Sequence, residues 1–203
     1  MTKRLFDLLV ASIGLLVAAP VMAVIALVLL ASPDGPVLFR QQRVGRGGTP
    51  FTILKFRTMR APRPGASTIT IGQGDRITRL GSILRQTKLD ELPQLWNVVR
   101  GDMSLVGPRP EVPEYYMLYA PPLRERIARV RPGITDRASI IYRHEAELLA
   151  EQADPQDYYR NIILPHKQAI GAEYADGHSL RGDIAIIVDT IKAVVGSSRG
   201  PSA

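Results

Sequence analysis

From Leu8 to Ser32 the chain runs LLVASIGLLVAAPVMAVIALVLLAS, 25 residues without a charged side chain. At a rise of about 1.5 Å per residue, such a helix matches the roughly 30 Å hydrocarbon layer of a bilayer. A cleaved signal peptide is the competing reading, but its apolar core ordinarily has only about 7–15 residues. Pro20 stands at the middle of the segment, where it removes a backbone donor and crowds the preceding turn. The halves on either side, residues 5–19 and 20–31, each reach only about 18–23 Å as helix, too short to cross alone. Lys3 and Arg4 precede the segment and a basic stretch follows it, so the positive-inside tendency favours the cytoplasm for both ends. These features predict a re-entrant helix–break–helix hairpin turning at Pro20, with a proline-kinked spanning helix as the alternative. Ser12 and Gly14, just before the turn, suit the disturbed backbone of a broken membrane helix.

The formal net charge of +7 is concentrated after this segment. Between Asp34 and Asp75 lie Arg40, Arg43, Arg46, Lys55, Arg57, Arg60 and Arg63 and no acidic residue. A basic block beside an apolar anchor suits anionic lipid head groups, phosphate substrates or nucleic acid. No aromatic stacking platform or known binding motif is interleaved with these charges, which argues against nucleic acid. The chain has no cysteine, so disulfides, thiolate metal sites and thiol nucleophiles are excluded and the chemistry must come from oxygen and nitrogen groups.

Pro-Asp-Gly-Pro at residues 33–36 is turn chemistry that ends the membrane segment. Residues 37–39 and 51–54 read as short strands joined through the glycine-rich stretch 45–48, a basic ribbon. Residues 61–74 have loop composition. Apolar spacing predicts helices over 77–86, 92–99, 123–130, 145–152, 162–174 and 183–195. Trp96 and the group Tyr115, Tyr116 and Tyr119 suit either a protein core or a membrane interface. The expected architecture is mainly α with a small β-ribbon: a membrane hairpin over 1–32, a compact cytoplasmic domain with interfacial amphipathic helices over 33–195, and a loose tail over 196–203.

Asp90 and Glu91 are adjacent carboxylates before Leu92-Pro93, with Arg85 and Lys88 close by. One reading makes Asp90 a helix N-cap and Glu91 a first-turn residue favoured by the helix dipole. The other uses an ionised carboxylate as a nucleophile toward phosphorus, with the pair holding a hard divalent cation and arginines gripping phosphoryl oxygens. Further on, Pro108 and Pro110 stiffen the backbone around Arg109, a suitable mount for a phosphate-binding guanidinium.

Taken together, Lys55-Phe56-Arg57-Thr58-Met59, Leu89-Asp90-Glu91-Leu92-Pro93-Gln94, Asn97, the stretch 101–110 and Arg131-Pro132-Gly133-Ile134-Thr135 resemble the small monotopic phosphoglycosyl transferases, a bacterial sugar transferase family. The resemblance covers nearly the whole chain. It implies transfer of a sugar 1-phosphate from a UDP-sugar to polyprenyl (undecaprenyl) phosphate, with release of UMP, as the first membrane step of glycoconjugate synthesis. Asp90 is the implied covalent nucleophile and Glu91 its partner in a catalytic dyad, with magnesium held at Asp90 and Glu91. Lys55, Arg57, Arg85 and Arg109 fall on the basic positions around the phosphates, and Arg143 on a further one. The implied location is the cytoplasmic face of the bacterial inner membrane, among membrane lipids, with downstream glycosyltransferases or a second copy of the chain as protein partners.

The sequence departs from the commoner pattern at Asp136, where glycine is usual, and at residues 138–143. The departures bear on nucleotide and sugar contacts, and the dyad is untouched by them.

Overall fold

A computed structural model describes residues 2–60 and 76–196. The loop read at 61–74, with any role as a lid, and the tail beyond residue 196 lie outside the described residues.

The apolar segment is one helix, α1 (Thr2–Leu30), whose backbone stays helical through Pro20. The expected break is therefore absent from the backbone: a single proline forfeits one ladder hydrogen bond, and the remaining groups stay paired along the helix. The buried side chains of α1 fall near its ends, Asp7 and Ala11 at one and Ile25 and Leu29 at the other, while Pro20 is exposed. Leu5, Leu9, Leu16, Val17 and Leu27 face outward, an apolar surface of the kind that lipid rather than water would cover.

Both ends of α1 are tied to the rest of the protein. At its start Lys3 Nζ lies 2.6 Å from Asp183, Arg4 donates to the carbonyls of Val98 and Val99, and the Asp7 carboxylate accepts from the Ser104 hydroxyl at 2.8 Å. At its end Arg57 donates to the carbonyls of Leu29 (3.1 Å) and Gly35. At Leu29 it adds to the bond from the Ser32 N–H, so the last turn of the helix is tied off from two sides.

The basic ribbon is an antiparallel pair, β1 (Leu38–Val44) and β2 (Pro50–Phe56), with Leu38 opposite Phe56 and Val44 opposite Pro50. Helix α2 (Arg79–Gln86) starts at Thr78, whose hydroxyl accepts from the Gly81 N–H, and α3 (Gln94–Arg100) ends at Gly101 in a left-handed conformation. Asn97 on α3 is fully buried and bonds to Thr52 O and Leu54 N of β2, fastening helix to ribbon. Gly81 lies so close to Thr58 that an added Cβ would sit 2.0 Å from a carbonyl oxygen, so this crossing requires glycine.

Within the stretch read as a stiff loop lies a short strand, β3 (Ser104–Val106), paired in parallel with β4 (Gly133–Thr135). Three-residue strands carry no readable period, so the sequence did not announce them. Short helices α4 (Pro113–Tyr116), α5 (Pro121–Ala128), α6 (Arg137–Ile141), α7 (Glu145–Ala150) and α8 (Pro155–Tyr158) lead to the longer α9 (Leu164–Gly177) and α10 (Leu180–Gly196). Tyr115, Tyr119 and Tyr159 are core residues packed with Leu149, Ile163 and Leu164, whereas Trp96 is half exposed. Ala11 joins Ile53, Val98, Met103, Leu105 and Val106 in another core, so α1 is part of the fold at its N-terminal end.

Candidate active site

Asp90 and Glu91 occupy a tight turn (Leu89–Glu91) between α2 and α3, entered through Lys88 in the left-handed region at φ 58°. Leu89 and Leu92 on either side pack beside Ile25, Leu29, Phe56 and Leu84, which pins the turn from below. Both carboxylates are buried. Asp90 does not cap α3: that position is Pro93, with no side-chain cap, and Asp90 Oδ1 is buried without a hydrogen-bond partner.

Glu91 is the opposite case. Its Oε1 accepts from Lys55 Nζ and from Arg109 Nη2, each at 2.8 Å. Burial disfavours the Glu91 anion, but Arg109 and Lys55 override it and hold the carboxyl well below the usual range. Glu91 in turn raises Arg109 further, while burial lowers Lys55 despite its partner. At Asp90 burial and the neighbouring Glu91 charge push the carboxyl up, opposed by Lys55, Lys88 and Arg85.

Arg109 is mounted by its backbone. Its N–H donates to Asp136 Oδ2 at 3.1 Å, Gly107 N–H donates to Thr135 O, and Gly133 N–H donates to Pro108 O. Gly107 and Gly133 face each other so closely that a Cβ on Gly133 would fall 2.1 Å from Gly107 N. From the other side Arg43 donates to Pro110 O. The loop between Pro108 and Pro110 is thus held by β4 and by β1, as well as stiffened by its prolines. Asp136 also caps α6 by accepting from Ser139 N–H at 2.7 Å. The residue that departed from the family pattern therefore positions Arg109.

The structure brings together Asp90, Glu91, Lys55 and Arg109, with Arg85 one layer behind. Arg85 Nε donates to Thr58 Oγ1 and its charge acts on Asp90. Arg57 was expected among the phosphate binders; in this structure its guanidinium bonds Leu29 O at the end of α1 and Gly35 O in the turn beyond it. Arg143 lies exposed beyond the end of α6 and is not among the principal charges acting on Asp90 or Glu91. Sequence reasoning did not give Asp136 its positioning role, nor did it find Glu111, a buried carboxylate that shares the cavity beside Arg109 with Tyr119, Asp136 and Ser139. Ser139 Oγ is buried there without a partner.

Among the described residues no three potential metal ligands cluster. The pair still fits a hard cation, since Asp90 offers an unpartnered buried oxygen. Magnesium commonly binds through one or two carboxylates, with water and substrate phosphate completing its shell.

A two-carboxylate turn flanked by Lys55, Arg85 and a rigidly mounted arginine has the chemistry to hold anionic phosphoryl groups beside a long apolar helix. The family model for bacterial sugar transferases matches residues 1–197, and the chain belongs to that family. It is 45% identical over 196 residues to the UDP-glucose:undecaprenyl-phosphate glucose-1-phosphate transferase of Caulobacter vibrioides, covering 95% of this chain and 69% of that one. It is 34% identical over 197 residues to the UDP-N-acetylgalactosamine-undecaprenyl-phosphate N-acetylgalactosaminephosphotransferase of Aeromonas hydrophila, covering 95% and 43%. The UDP-glucose:undecaprenyl-phosphate glucose-1-phosphate transferase of Escherichia coli is 42% identical over 141 residues, 68% of this chain and 30% of that protein.

Proposed function

We propose that this enzyme transfers a sugar 1-phosphate from a UDP-sugar to undecaprenyl phosphate or a similar polyprenyl phosphate, through a covalent intermediate on Asp90. The observation that carries the reading is the buried Asp90 carboxylate with a free oxygen, beside Lys55, Glu91 and Arg109. An Asp90 oxygen attacks the sugar-bearing phosphorus, a new O–P bond forms, and the bond to the bridging oxygen breaks to release UMP. A phosphate oxygen of the polyprenyl phosphate then attacks the same phosphorus, the acyl-phosphate bond breaks, and Asp90 returns as carboxylate. The lipid leaves as a diphosphate-linked sugar.

Lys55 and Arg109 supply cationic edges to the transferring group, with Arg109 capable of two parallel hydrogen bonds. Glu91, held anionic by these two residues, is a poor proton acceptor; its part is to keep both cations in place and to contribute to the cation site. Magnesium, held by Asp90 and Glu91, would neutralise diphosphate charge and stabilise the departing phosphate.

Residues 1–32 serve as a re-entrant membrane unit in this reading, and residues 33–195 act on the cytoplasmic face of the inner membrane. Support comes from α1, whose two ends both dock on the soluble part while no side chain between Ala11 and Ile25 is buried. A spanning helix would separate those ends by the hydrocarbon layer. Single cysteines at residues 2 and 36, labelled from either side of sealed vesicles, should react from the same side; labelling from opposite sides would refute the re-entrant placement of α1.

The reaction is tested by intact mass after mixing the purified protein with magnesium and a UDP-sugar, without acceptor. UDP-glucose and UDP-N-acetylgalactosamine are the first donors to try. A phosphosugar adduct that disappears in Asp90→Asn is expected. UMP release that requires acceptor, with no adduct from any donor, would favour direct transfer instead.

A further inference from the structure

At the foot of α1, Pro36, Val37, Leu38, Phe39 and Arg40 line an open groove of about 580 Å³. Val37 and Leu38 are anchored against Ile25 and Leu29 of α1 and against Phe56 and Leu84. Leu89 and Leu92, which bracket Asp90 and Glu91, belong to the same apolar cluster. Phe39 is different: it remains 45% exposed on a groove that is otherwise fixed from below.

The strand register says where Phe39 points. It stands opposite Lys55 across the ribbon. Directly opposed residues of an antiparallel pair project from one face, their Cβ atoms about 5 Å apart. Lys55 Nζ in turn reaches Glu91 at 2.8 Å. Phe39 therefore lies near the end of the membrane helix and on the same ribbon face as Lys55, one side chain away from the catalytic pair, with Arg40 next to it on the strand. A free anion would gain nothing from the exposed phenyl, and an uncharged hydrocarbon would gain nothing from Lys55. A molecule with an apolar tail and a phosphate head uses both.

We infer that residues 36–40 bind the isoprenoid units nearest the phosphate of the lipid acceptor, with Phe39 packing on the chain and Lys55 facing the phosphate. This rests on the acceptor reading given above and adds the path by which that lipid reaches Asp90. Removing an exposed phenyl that becomes covered on binding is expected to weaken capture about fivefold to tenfold.

The test is photo-labelling of the detergent-solubilised full chain with a prenyl phosphate that carries a diazirine on its second isoprene unit. The expected result is label within residues 36–40, competed by unlabelled polyprenyl phosphate, reduced about fivefold in Phe39→Asn and largely restored in Phe39→Leu. Label placed outside residues 36–40, label that unlabelled polyprenyl phosphate does not displace, or equal labelling of Phe39→Asn would overturn the assignment, the second outcome marking a surface for any lipid tail. Labelling needs no turnover, so a protein that labels as expected yet never transfers sugar phosphate would keep the groove and refute the transfer reading instead.

Discussion

The two carboxylates of the dyad are neighbours in sequence and opposites in surroundings. Around Glu91 the protein is over-supplied: two cations from distant segments converge on one oxygen, and each is fastened in its own way. Lys55 rides on the ribbon stapled by Asn97, and Arg109 on the loop clamped by Asp136, Arg43 and the facing glycines. Around Asp90 the protein is under-supplied, with a buried oxygen left bare and burial opposing its charge. Buried polar atoms are seldom left unpartnered, because each costs about 1–3 kcal/mol. The contrast separates a carboxylate that organises charge from one left without a partner, as the proposed nucleophile requires.

The largest effect should come from Asp90→Asn. Loss of the nucleophile is expected to lower turnover by at least about 10³-fold and to abolish the adduct. The same change should stabilise the fold. A carboxyl whose pKa is raised by folding binds its proton more tightly in the native state, so it lowers stability as pH rises through that raised pKa. Removing the ionisable group relieves this, so the Tm of the variant should rise at neutral pH and gain nothing below the ordinary aspartate range. A variant that is both inactive and less stable would contradict the bare-carboxylate picture.

Glu91→Gln attacks the other member. It leaves Lys55 and Arg109 buried without their anion, so a stability loss of about 3–5 kcal/mol is expected together with roughly a 10²-fold fall in turnover. Thermal melts of the two variants side by side should therefore move in opposite directions. The pH dependence sharpens the same comparison. Adduct formation needs ionised Asp90 and should rise with pH through a midpoint above the ordinary aspartate range, while Glu91 stays anionic throughout. A single-turnover profile with its midpoint below that range would assign the titration wrongly.

What the sequence made legible follows from the reach of each signal. The membrane helix is a local matter of 25 apolar residues, and its existence could be read directly; that it would stay helical through Pro20 could not, because a proline's local cost says nothing of the contacts that hold both helix ends. The dyad, Lys55 and Arg109 were legible through short motifs. Their convergence was not, since Lys55 and Glu91 are separated by 36 positions and meet only through the packing of β2 on α3. The β3–β4 pair was too short to show a period, although its facing glycines were visible as residues. The carbonyl contacts of Arg57 were not legible, because an arginine that binds carbonyls and one that binds phosphate look alike in a string of letters.

Asp136→Ala tests how far the Glu91 side depends on its mounting. The substitution removes the acceptor of the Arg109 N–H and the cap of α6, costing about 1–2 kcal/mol of stability. Arg109 keeps its side chain and its prolines, so turnover should fall only about tenfold. A conservative Asp136→Asn, which retains an acceptor oxygen, should recover most of it. Equal loss in both variants would mean that the charge of Asp136 acts on substrate directly.

The smallest catalytic effect is expected at Arg57, and its size decides between two roles for the same residue. Arg57 lies in the basic motif with Lys55, yet its guanidinium is 3.1 Å from Leu29 O and also bonds Gly35 O at the exit of the membrane helix. Arg57→Gln should therefore weaken the seam between α1 and the soluble part by roughly 1.5–3 kcal/mol, the range for hydrogen bonds to a charged group. The adduct rate per folded molecule should stay within about threefold. Measured on protein normalised by its folded fraction, a fall of 10² or more would place Arg57 against the diphosphate during the reaction and extend the over-supplied side of the site to a third cation.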